Sequence, residues 1–189
     1  LRYYLIKEVS FGNDGNISQE RLENCINSDL ANNFGNLCQR VTAFTIKNCE
    51  SVVPKDIRFQ KEDLKILDKY KNNLTTIRKK IDKQDINFYI DYIINSLFEA
   101  NKYFNDQEPW KKKDDLIRLN TIVYTTLEIV RKISFLLYPI IPESAIKALK
   151  IFDLKENDIS ILSIENNEFL IKGSKINKID ILFKKIDKN

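Results

Sequence analysis

Between Pro54 and Pro109 the sequence contains neither glycine nor proline, and only four of each occur among its 189 residues. Proline removes a backbone donor and clashes with the preceding turn, and glycine weakens regular structure, so a stretch without them is free to run as long helices. The apolar residues repeat with the matching period. Leu30, Phe34, Leu37, Val41 and Phe44 fall at i, i+4, i+7, i+11 and i+14, a narrow stripe suited to packing in a bundle.

The same reading predicts a helix ending near Glu8 and a turn through Phe11-Gly12-Asn13-Asp14-Gly15-Asn16, with Ser18 as the N-cap of the next helix. Asn27 or Ser28 opens or continues a helix to about Asn48, which stops before Val53-Pro54. A more polar helix spans about Glu62 to Ile81, with Leu64, Ile66, Leu67, Leu74, Ile77 and Ile81 inward. Asp85 starts another that ends near Phe104, with Ile90, Ile93, Ile94, Leu97 and Phe98 on its apolar face and Phe88, Tyr92, Asn95 and Glu99 beside it. Pro109-Trp110 connects to a strong helix from about Asp114 to Leu137, closed by Pro139 and Pro142. A short helix covers Glu143–Phe152. Beyond Phe152 short alternating apolar runs leave an irregular tail. The expected fold is all-α: an antiparallel bundle of four or five helices with N- and C-terminal appendages.

Composition excludes much chemistry. There is no His, which removes the commonest general acid–base residue and metal ligand, and with it every Ser-His-Asp or Cys-His arrangement. Cys25, Cys38 and Cys49 form no CxxC pair, so no metal site or disulfide framework is expected, and free thiols suit a reducing cytoplasm. No catalytic residue is assigned. A formal net charge of +4 says little about nucleic acid. No apolar run suffices for a membrane span. The chain has no Met and begins at Leu1, as expected of a segment from a longer protein.

Three strings carry more information. Residues 2–18, Arg-Tyr-Tyr-Leu-Ile-Lys-Glu-Val-Ser-Phe-Gly-Asn-Asp-Gly-Asn-Ile-Ser, resemble the stretch RYYLLREVPFGxDGxFS of methionyl-tRNA synthetases, which follows the KMSKS loop of their class I active site. Residues 27–40 are similar to that family's NxDLANxLGNLxxR, and Gln107-Glu108-Pro109-Trp110 to its xxPW connector. The end, Leu182 to Asp187, faintly resembles a terminal LFPRIE, with Lys184 where proline is usual. Neither HIGH nor KMSKS occurs. The resemblance implies the end of a stem-contact linker at 1–26, an anticodon-binding bundle at 27–152, and a tail at 153–189 that packs back toward the catalytic half. It implies a cytoplasmic ligase that charges tRNA(Met) using ATP, methionine and Mg2+, none of them held by this segment. The expected partners are the tRNA(Met) anticodon loop and the protein's own catalytic domain, with no membrane and no DNA.

Asn36 and Arg40 lie four apart, on one helix face. Arg brings a planar fork of donors and Asn a donor and an acceptor, and both heads are expected free to read the edge of an unstacked base. In the family such residues read the first anticodon base, a cytosine. Trp110, presented by Pro109, offers a plane on which a base stacks; alternatively it plugs the bundle's end. Lys111, Lys112 and Lys113 are candidates for phosphate contacts. Asn101, Asn105 and Asp106 are rim candidates, and Lys79, Lys80, Lys83, Arg2 and Lys7 are weaker ones. Two alternatives stay open: the anticodon domain of another class I synthetase, or a protein-interaction module without RNA specificity, which predicts a buried Trp110.

Overall fold

The computed structural model describes residues 1–10 and 12–186. Phe11 of the predicted turn, and residues 187–189 with Asp187 of the terminal string, lie outside the described residues. Eight α-helices are described: α1 (Arg2–Glu8), α2 (Gln19–Cys25), α3 (Asn36–Asn48), α4 (Lys61–Asp82), α5 (Ile86–Gln107), α6 (Leu116–Leu137), α7 (Pro142–Leu149) and α8 (Ile161–Glu165). α6 is the central element, with α3, α4, α5, α7 and α8 against it. From Arg118 to Leu137 all but one of its positions are buried, Asn120 being half-buried, so it is enclosed rather than one-sided.

The predicted caps are present. Ser18 Oγ accepts from the Arg21 amide and Asp85 from that of Phe88; the helix expected from about Asp114 is capped by Asp115, which accepts from the Arg118 amide. Ser28 does not open a helix. The chain stays helical from α2 into α3 through a π-helical segment, Ile26–Gly35, and Ser28 instead donates to Asp29. Asp29 is buried and collects Tyr3 Oη at 3.1 Å and Lys7 Nζ at 2.8 Å from α1. A buried carboxylate so surrounded fastens α1 to the bundle. Asn87 at the start of α5 donates to the carbonyls of Ile6 and Lys7, completing that joint.

Several inward assignments are corrected. Leu64 and Ile81 on α4 are each 40% exposed and Phe98 on α5 is exposed, whereas Tyr70, Tyr92 and Asp63 are buried. The stripe on a helix is set by which neighbours cover it, and the turns at the ends of α4 leave Leu64 and Ile81 uncovered. α5 runs one turn past Phe104, to Gln107.

The tail is ordered by charge buried in α6. Glu128, Arg131 and Lys132 are fully buried. Arg131 Nε donates to Glu128 at 2.7 Å and Arg131 Nη2 to the Asn166 carbonyl at 2.9 Å; Lys132 Nζ donates to the Ile164 carbonyl at 2.5 Å and to Asn167 Oδ1 at 2.7 Å. Glu128 in turn accepts from the Leu170 amide at 2.6 Å. Glu128 and Arg131 pair within α6, and the tail supplies the further partners, including both acceptors of the Lys132 ammonium. Further on, Val52 and Lys175 form an antiparallel bridge. Phe183 packs against Phe34, beside Gly35, where a Cβ would stand 3.4 Å from the Phe183 ring. Asn27 and Ile186 exchange two hydrogen bonds of 2.9 Å.

Candidate functional site

The predicted residues come from three elements. α3 carries Asn36 and Arg40, the last turns of α5 carry Phe104 and Asn105, and the 3-10 turn Pro109–Lys111 carries Trp110. The π-helical segment sets the phase of α3. The Asn36 amide still donates five residues back, to Ala31, while Leu37 and Cys38 enter the core fully buried. Asn36 is left exposed and Arg40 half-buried, one turn further along.

The guanidinium of Arg40 lies over the Phe104 ring, 5.5 Å from its centroid, and Nη2 donates to Asn105 Oδ1 at 2.6 Å. The expectation that both polar heads stand free is therefore corrected for Arg40. One of its five donors is engaged and its plane is held by an aromatic face, which fixes the direction of the rest. Phe104 is itself fixed by an edge contact with Phe44, at 5.8 Å and 86°.

Trp110 stands edge-on to the same Phe104 ring, with centroids 6.0 Å apart and planes at 69°. It is 39% exposed, so the indole is held by the ring contact while part of it faces solvent. The backbone presents it this way because Glu108 is left-handed, at φ 45°, and reverses the chain after α5. Pro109 is buried beneath it, and the Lys112 amide closes the turn on the Pro109 carbonyl at 3.1 Å.

The other candidates separate. Lys111 pairs with Glu108 at 2.8 Å on the surface; Lys112 is half-buried and Lys113 exposed. Asn101 donates to Asn33 Oδ1 at 2.7 Å and to the Leu97 carbonyl, joining α5 to the π-helical segment. Asp106 faces Lys102 at 3.6 Å. Lys80 pairs with Asp85 and lies over Phe88, while Lys79, Lys83 and Arg2 are exposed. Lys7 is committed to Asp29, which makes it a packing residue.

Sequence reasoning missed the layer beneath. Phe104 was read only as the end of a helix. Asp63 carries only the local signal of a helix start, its carboxylate accepting from the Gln60 amide, and Tyr103, Gln107 and Arg118 show no local pattern that joins them to it, because they lie on other helices. Arg118 grips both oxygens of Asp63, at 2.6 and 3.0 Å, and reaches Gln107 Oε1 at 2.5 Å; Tyr103 donates its hydroxyl to Asp63. Burial, reinforced by the Asp63 carboxylate, pushes the Tyr103 phenol well above its usual range, so it stays a donor. Among the described residues no group of three or more His, Cys, Asp or Glu gathers to hold a metal ion, and no helix is long and apolar enough to cross a membrane.

Two family models match the chain. The anticodon binding domain of methionyl tRNA ligase matches residues 53–189, and the class I tRNA synthetase (M) model matches residues 1–42. A methionine–tRNA ligase of Brucella suis is 43% identical over 152 residues, which are 80% of this chain and 30% of that protein. One from Thermotoga maritima is 33% identical over 189 residues, 99% of this chain and again 30% of the relative. Methionyl-tRNA synthetase of Mycobacterium tuberculosis in its apo form superposes with a TM-score of 0.91 at 33% identity, covering 100% of this chain and 39% of that one. The chain thus spans about a third of the length of the proteins it matches.

Proposed function

Because this chain belongs to the methionyl-tRNA ligase family, whose anticodon binding domain model matches residues 53–189, we propose that it reads the CAU anticodon of tRNA(Met). The observation that carries this reading is the convergence on Phe104. One ring lies under the Arg40 guanidinium and makes a T-shaped contact with the half-exposed Trp110. A directed set of donors beside a stacking plane is what recognition of a splayed single-stranded base requires.

Cytosine offers two acceptors and one amino donor on its pairing edge. The free N–H groups of Arg40 serve the acceptors, and the Asn36 side-chain carbonyl accepts from the amino group. A uracil reverses part of that pattern and leaves a donor facing a donor, which discriminates by leaving polar groups unpaired. The Trp110 indole stacks on an anticodon base, worth roughly 1–3 kcal/mol. Pro109 limits how the indole turns, and Lys111, Lys112 and Lys113 meet backbone phosphates without reading sequence.

In the whole ligase this module serves a catalytic domain that activates methionine with ATP and Mg2+ and transfers it to the tRNA in the cytoplasm. The bundle keeps the anticodon at a distance from that chemistry, because α4, α5 and α6 are 22 residues each, roughly 33 Å at 1.5 Å per residue. The interaction-module alternative predicts a buried Trp110, and the 39% exposure of that residue runs against it.

The test uses the single Trp as reporter. An anticodon stem-loop carrying CAU is titrated into the chain beside one whose first anticodon base is changed. Quenching of Trp110 with a preference of about 1–3 kcal/mol for CAU is expected. Equal, weak binding with no change in Trp emission would remove the anticodon site from this surface.

A further inference from the structure

The turn that carries Trp110 is closed at its base by a buried ionic clamp. Gln107 is the last residue of α5 and Arg118 lies in the first turn of α6. The bond from Arg118 Nη2 to Gln107 Oε1, 2.5 Å long, ties the two ends of the segment that contains Glu108, Pro109 and Trp110. Arg118 is itself immobilised, since its fork is bidentate on Asp63, which is wholly buried. Asp63 is fixed from two further directions, by the Gln60 amide at 2.7 Å and by the Tyr103 hydroxyl.

Tyr103 and Phe104 are neighbours on α5 with divided tasks. Tyr103 turns inward to the clamp, while Phe104 carries Arg40 and Trp110. The buried network is therefore continuous with the surface site through one peptide unit and one hydrogen bond.

Resting on the anticodon reading above, we propose that Asp63, Arg118 and Gln107 are positioning residues. They hold the Trp110 turn and the end of α5 in the geometry that meets the base, so that little ordering is left to occur on binding. Three α-helices meet at this point, and a buried charge pair linked to a neutral amide is a directional joint, unlike apolar packing, which tolerates sliding. The Gln107 amide is the replaceable member. It is only half-buried, and its removal leaves the Asp63–Arg118 pair intact.

The experiment compares Gln107→Leu and Gln107→Glu with the parent chain. Time-resolved anisotropy of Trp110 is read in the free protein, and stem-loop affinity is read by a labelled RNA. In Gln107→Leu, faster depolarisation of Trp110, an unchanged thermal midpoint and roughly three- to tenfold weaker CAU binding are expected, as for a side chain that must now be ordered by the ligand. Gln107→Glu restores an acceptor for Arg118 and should recover both readouts. If Gln107→Leu leaves the anisotropy of Trp110 and the affinity within twofold of the parent, the clamp has no positioning role. If the parent chain itself shows no preference for CAU, the anticodon reading fails instead, and the clamp is still judged by Trp110 anisotropy without RNA.

Discussion

Arg40 Nη2 donates to Asn105 Oδ1 at 2.6 Å across 65 residues of sequence, and this bond orients the guanidinium proposed to read a base edge. Arg40→Ala should weaken binding to the CAU loop by about 1–3 kcal/mol and reduce discrimination at the first anticodon base. Arg40→Lys should fall nearly as far, since a point charge keeps attraction to phosphate but neither the fork nor the guanidinium's place over the Phe104 ring. Filter-binding titrations with matched and changed loops measure both. A lysine variant with full discrimination would contradict the role given to the fork.

Trp110 and Phe104 should separate binding from stability. Phe104 is buried, and Phe104→Ala should cost roughly 3–5 kcal/mol in urea unfolding. Trp110→Ala should cost about 1 kcal/mol of stability but remove most of the stacking contribution, while Trp110→Phe keeps part of it. Comparable losses of stability from both alanine variants would mean that Trp110 is a core residue.

Lys113 is exposed beside the site. Lys113→Gln should weaken CAU and changed loops alike, and lower the slope of log affinity against log salt by about one if it meets a phosphate. An unchanged slope would exclude that contact. Lys111, already opposite Glu108 at 2.8 Å, should contribute less.

Lys132 should give the bundle an unusual response to alkali. Burial, aided by the adjacent Arg131 cation, lowers its ammonium from the usual 10.5 to about 8. Between those values the unfolded chain holds a proton that the native state has released, so stability rises with pH, by up to about 1.4 kcal/mol per unit. Buried thiols and tyrosines have the opposite sign: Cys25 and Cys49, pushed up by burial from 9.0 to about 12 and about 11, oppose the rise already above pH 9. Tyr92, pushed up to about 12 chiefly by burial, keeps its proton after the unfolded chain has lost it, so stability falls above the usual 10.0. Urea midpoints from about pH 7 to pH 11 should rise and then fall. Lys132→Met should abolish the rise and leave the fall; a rise that persists in that variant assigns it to another group.

Consecutive residues settle the local part. A chain free of glycine and proline from residue 55 to 108 forms helices, the caps Ser18 and Asp85 mark two of their starts, and the stripes through Phe34, Leu37 and Val41 and through Leu67, Leu74 and Ile77 are buried. The strings around Asn36, Arg40 and Pro109-Trp110 located the candidate site, because short-range order and family motifs are written in consecutive residues. Tertiary structure alone decided the rest. Leu64, Ile81 and Phe98 share the helical period but lie where neighbours cover them only in part. Glu128 and Arg131 pair within α6, but their remaining hydrogen bonds and those of Lys132 go to a tail 32 to 42 residues further along the chain. The contacts of Arg40 with Asn105 and of Asp63 with Arg118 join residues 65 and 55 apart. No spacing rule encodes such pairs, since their partners are chosen by how the helices pack and not by the order of the chain.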